Sequence, residues 1–110
     1  MALKVKIVLL NMSPSEILEA NIAKHAEKLY GMHPALTECA ATVDMQSHRA
    51  QGNEYAVRLE LHAAGEGYVV SRVENQDAYV AIRDAFDAAH KQLTAAKREP
   101  RRDSSQREVG

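Results

Sequence analysis

The sequence predicts a single α+β domain of order β-α-β-β-β-α, with a four-stranded mixed sheet and two helices packed on one of its faces. Three observations predict it. Apolar and polar residues alternate in four runs, the period of half-buried strands. Two amphipathic stretches begin at helix-capping residues. At 110 residues the chain has room for one core and little more. With 45% hydrophobic but only 5% aromatic residues, and no Trp, that core is aliphatic. The domain is read as residues 1–99, followed by a disordered basic tail over 100–110.

Leu3-Lys4-Val5-Lys6-Ile7-Val8-Leu9 opens the chain with a strand that turns Leu3, Val5, Ile7 and Leu9 inward. Ser13-Pro14-Ser15-Glu16 then offers a capping box, in which the Ser13 hydroxyl accepts from the Glu16 N–H, the Glu16 carboxylate reaches back, and Pro14 takes the first helical position. The spacing predicts a helix over about 14–30 that buries Ile17, Leu18, Ile22, Ala26 and Leu29 and stops at Gly31. Thr37 to Gln46 alternates again, with Cys39, Ala41, Val43 and Met45 on one side. After a polar loop from Ser47 to Asn53, Tyr55 to His62 forms the other arm of a hairpin. Gly65-Glu66-Gly67 turns into a fourth strand with Val69, Ser71 and Val73 inward. Asp77 caps the closing helix, which buries Tyr79, Ile82, Phe86, Ala89 and Leu93 before Pro100 prevents continuation. A helix between the first two strands makes them parallel, and the remaining strands form an antiparallel meander.

Several functions are excluded or disfavoured by what the chain contains. The longest strongly apolar run, Ile7-Val8-Leu9-Leu10, is far short of the roughly 20 residues of a membrane span. There is no signal-peptide pattern, and the reading is a cytoplasmic protein. Cys39 stands alone and reads as a small buried hydrophobe. His25, His33, His48, His62 and His90 show no metal-ligand spacing and read as surface histidines, so no metal and no cofactor is expected. Asp84 and Asp87 lie one helical turn apart, but with no nucleophile, oxyanion hole or phosphate-cradling loop they read as solvated charges. No catalytic residue is assigned and the chain is not read as an enzyme.

The formal charge of −1 conceals a polarity along the chain. Residues 1–76 carry seven Lys or Arg against nine Asp or Glu, whereas residues 91–110 carry six against three. Local charge is what phosphates respond to. Lys24, His25 and Lys28 fall on the outer side of the first helix; Arg83, His90, Lys91, Lys97 and Arg98 fall on the outer and C-terminal parts of the second, continued by Arg101 and Arg102. Such charges often do no more than solubilise a helix. Two helices in one layer, however, can merge them into a surface that follows a phosphate backbone.

Asp77-x-Tyr79-x-Ala81-Ile82 followed by Gln92-Leu93, the run Ala23-Lys24-His25-Ala26-Glu27-Lys28-Leu29, and the order of the six elements together resemble the short-form ribosome hibernation-promoting factors and ribosome-associated inhibitors, the sigma-54 modulation or S30EA ribosomal protein family. The resemblance covers roughly Leu3 to Arg98. It implies a translation inhibitor that acts in stress and stationary phase. Its expected partners are the 30S and 70S ribosome and 16S rRNA at the decoding channel, where it would block mRNA and tRNA, with no membrane or small-molecule substrate and a monomer when free. The implied RNA contacts are Lys24, His25 and Lys28 on the first helix and Lys91, Lys97 and Arg98 on the second, with His48 and Arg49 as weaker candidates. The chain departs from the family in having Ala88, Ala89, Ala95 and Ala96 where members commonly carry more lysine. The contrasting reading is a protein-interaction module that self-associates through its sheet face or an edge strand and ignores ribosomes.

Overall fold

The computed structural model describes residues 3–48, 52–64 and 67–98. Strand β1 (Lys4–Leu10) leads into α1 (Glu16–Met32); β2 (Leu36–His48), β3 (Gly52–Ala63) and β4 (Gly67–Asn75) follow, and α2 (Ala78–Arg98) closes the order. This is the α+β succession read from the sequence. The strands lie side by side as β1-β2-β3-β4, with β1 parallel to β2 and the other two pairs antiparallel. The helix between β1 and β2 carries the chain back to start a parallel neighbour, whereas the short connections beyond β2 force reversal.

Pairing register decides which side chains reach the core. Cys39 stands opposite Leu61, Ala41 opposite Leu59 and Val43 opposite Val57, while Leu59 also faces Ser71. All are buried on one face, under Leu18, Ile22, Ala26 and Leu29 of α1 and Ile82, Phe86 and Leu93 of α2. A slip of one residue would turn this whole row to water. Each fully buried Leu or Ile contributes about 1.5–3 kcal/mol of transfer free energy, so the register is held by many small terms acting together. Ala78, Ala81, Ala85 and Ala89 line the inner side of α2, and their small size lets the helix ride close on β3 and β4. There Ser71 Oγ donates to the Ala85 carbonyl at 2.9 Å, which satisfies a hydroxyl that is otherwise buried.

The opposite sheet face is solvated. Lys4, Lys6, Arg58, His62 and Arg72 are exposed on it, and Arg58–Glu60 (2.9 Å) and Arg72–Glu74 (3.1 Å) pair along their own strands. As exposed pairs these contribute little stability.

The structure corrects several local expectations. The α1 cap is Ser15 rather than Ser13: its hydroxyl accepts from the Leu18 N–H at 3.2 Å, and the helix begins at Glu16, leaving Pro14 outside. That start turns Leu18 and Ile22 to the sheet and leaves Ile17 72% exposed. At the other end Gly31 stays helical, and the His33 N–H closes the helix on the Leu29 and Tyr30 carbonyls. Asp77 does cap α2, its Oδ1 accepting from the N–H groups of Tyr79 (2.9 Å) and Val80 (3.3 Å). The inward stripe nevertheless opens with Ala78, so Tyr79 is 44% exposed. Val5 is 36% exposed because β1 is an edge strand over which the helix layer closes incompletely. The hairpin ladder extends to His48 opposite Gly52, so Ser47, His48, Gly52 and Asn53 of the expected loop belong to the strands. The expected turn at Gly65-Glu66 and the tail over 100–110 lie outside the described residues.

Candidate nucleic-acid interface

The helices lie next to each other on the sheet and run in the same direction, since their contacts advance together from His25–Phe86 to His33–His90. Between them opens a groove of about 410 Å³. Leu29, Met32 and Phe86 form its apolar floor. Its rim carries His25 and Lys28 from α1 and Arg83, Asp87 and His90 from α2. The spacing accounts for this: residues three, four or seven apart share a helix face, and these stripes flank the buried ones.

Two of the histidines are structural, against the expectation that all lie on the surface. His33 is only 6% exposed, and its Nε2 lies 2.9 Å from Nδ1 of His90, one ring nitrogen donating and the other accepting. The His25 ring stacks on Phe86 with centroids 5.4 Å apart and planes inclined by 17°. Burial first, and then the ammonium of Lys28, hold His25 below the usual histidine range; Asp87 opposes this, while Lys24 and Arg83 add to it. His25 therefore meets a ligand at neutral pH as a neutral ring. Among the described residues, no three His, Cys, Asp or Glu side chains gather as a metal site.

The groove unites four of the ten residues singled out in the sequence: His25, Lys28, Arg83 and His90. Lys24 and Lys91 are exposed beside it, and Lys97 and Arg98 belong to the end of α2. Arg101, Arg102 and Arg49 lie outside the described residues. The merged cationic surface expected from the sequence is interrupted. Both Nε and Nη2 of Arg83 reach Oδ1 of Asp84 at 3.2 Å, and Asp87 stands in the groove rim itself. Sequence reading placed Asp87 only as a solvated charge; its position four residues after Arg83 and three before His90 was the available signal. Of the alanines that thin the charge of α2, Ala89 is fully buried and so could not be replaced by a solvated lysine without opening the core.

The sequence matches the model of the family described as sigma 54 modulation protein / S30EA ribosomal protein over residues 5–101. The chain belongs to that family. S30EA is a family of ribosome-associated modulation proteins rather than of enzymes. The matched segment takes in both helices and all of the sheet except Lys4, the first residue of β1. A ribosomal subunit interface protein from Coxiella burnetii superposes with a TM-score of 0.75 at 12% identity, covering 86% of this chain and 98% of that one. The N-terminal domain of Thermus thermophilus Protein Y gives 0.65 at 18% identity, covering 83% and 96%. At these identities the likeness shows the S30EA fold alone. No curated protein matches the sequence.

Proposed function

We propose that the chain is a translation inhibitor that binds the small ribosomal subunit at the decoding channel, holding its helical layer against 16S rRNA and excluding mRNA and tRNA by occupancy. The observation that carries this reading is the placement of Lys24, Lys28, Arg83 and Lys91 on two helices that share one sheet face. Membership of the S30EA family, and the naming of one structural neighbour as a ribosomal subunit interface protein, point the same way. Lys97 and Arg98 at the end of α2, with Arg101 and Arg102 after it, would extend the contact along the RNA. Inhibition needs no covalent step.

Amines that neutralise phosphates displace counterions, so affinity falls with salt at a log–log slope of about −0.7 to −0.9 per phosphate contacted. Acidic groups among the cations, and alanine where other members carry lysine, give this chain a shallower slope than a uniformly basic surface of the same size would show. The test is a sucrose gradient of ribosomes with and without the protein. Comigration with the small subunit and the monosome is expected. Absence from every ribosomal peak at low salt would refute the reading.

A further inference from the structure

We propose that the groove between α1 and α2 is a base-binding site, which receives one unstacked nucleotide of the bound RNA and reads its N–H donors with the carboxylate of Asp87. The inference rests on the RNA-binding reading given above and deepens it.

A face that only tracked phosphates would have no use for an apolar slot or for a carboxylate at its rim. This one has both. The groove holds about 410 Å³, within the size range of small-ligand sites. Of its apolar lining, Met32 is 45% exposed while Leu29 and Phe86 lie buried beneath, so the surface on which a base gains by leaving water is the Met32 side chain beside the His25 ring. Phe86 is held in place by the His25 ring stacked upon it, so the site is formed before any ligand arrives. Burial and Lys28 disfavour the charged form of that ring, so it offers a planar face with one N–H donor and one acceptor rather than one more cation.

Charge complementarity selects the occupant. Lys28 and Arg83 stand on opposite helices at the rim, where a nucleotide's phosphate would lie as its base enters between them. Asp87 repels phosphate, yet it lines the same groove. A carboxylate accepts hydrogen bonds only, so the edge it faces must donate. Bases with an amino group meet this condition, and guanine meets it best, because its imino and amino N–H groups can both reach one carboxylate. An apolar peptide would satisfy the floor but offer nothing to Lys28 or to Asp87.

The two readings of Asp87 predict effects of opposite sign. If phosphates alone are bound, Asp87→Ala removes a repulsive charge and tightens binding. If a base is read, it removes the acceptor and weakens binding to small subunits roughly tenfold, the range set by a good carboxylate–base contact. Met32→Trp, at a position 45% exposed at the groove, should fill the slot and weaken binding by a similar factor. Circular dichroism melts confirm that both variants fold. A photo-crosslinking side chain at position 32 should attach to rRNA. Tighter or unchanged binding by Asp87→Ala, wild-type binding by Met32→Trp, or crosslinking to a ribosomal protein would each overturn the base-binding site. If the wild-type chain itself ignores small subunits, the RNA-binding reading has failed, and with it the premise of the site.

Discussion

His33 and His90, 57 residues apart in the sequence, share a 2.9 Å hydrogen bond that ties the end of α1 to the middle of α2. Because His33 is buried, replacing His90 by Ala removes this partner from a ring that cannot turn to water, at a cost of about 1–3 kcal/mol. Urea melts of His33→Ala, His90→Ala and the double variant should show a coupling of about 0.5–3 kcal/mol. Additive losses would mean that the two rings do not support each other.

The depressed titration of His25 makes stability fall on the acid side. The unfolded ring takes up a proton near 6.5, the folded one only at lower pH, so in that interval the unfolded state binds more protons. The contribution of His25 is constant above the unfolded value and is lost as pH drops through the folded one. The groups acting on the ring are Lys24, Lys28 and Arg83, against Asp87. Urea melts between about pH 8 and pH 5 should show this loss. His25→Gln should remove that part of the slope, and an identical slope in the variant would contradict the assignment.

Charge reversal separates binding from folding. Lys28→Glu, Lys91→Glu and Arg98→Glu together should abolish comigration with small subunits, because each replaces an attractive charge with one that repels phosphate. The first two side chains are exposed, so the melting temperature should stay close to that of the unmodified chain. Retained binding would discard this surface.

Cys39 reports on the core. It is fully buried in β2, and burial pushes its thiol up to about 11. A thiol reagent at about pH 8 should therefore label the native chain only as fast as the sheet opens, and denaturant should speed the reaction. Rapid labelling without denaturant would contradict a closed core.

Strand order and both helices were legible because the sheet is covered on one face only. One-sided burial imposes a period of two on Cys39, Ala41 and Val43 and on Val57, Leu59 and Leu61, which is visible without any partner strand. Helix entry was less legible. Ser13 and Ser15 both suit a cap, and the choice falls to which start turns Leu18 and Ile22 to the sheet. Tyr79 and Ile17 misled for a related reason, since a helix flank beside the buried stripe holds apolar residues that periodicity alone cannot place. The basic residues of the site were readable by type and spacing. The groove was not, because it arises where two helices distant in sequence meet, and only packing brings Phe86 to His25 and His90 to His33.

The alanines at 78, 81, 85 and 89 have a kinetic consequence. Seated on its strands through these short side chains, α2 is expected to meet a partner as a preformed wedge. Rigid partners of this kind dock with little rearrangement. Their arrival rate is then governed by diffusion and long-range attraction, and the lifetime of the complex by the contacts made afterwards.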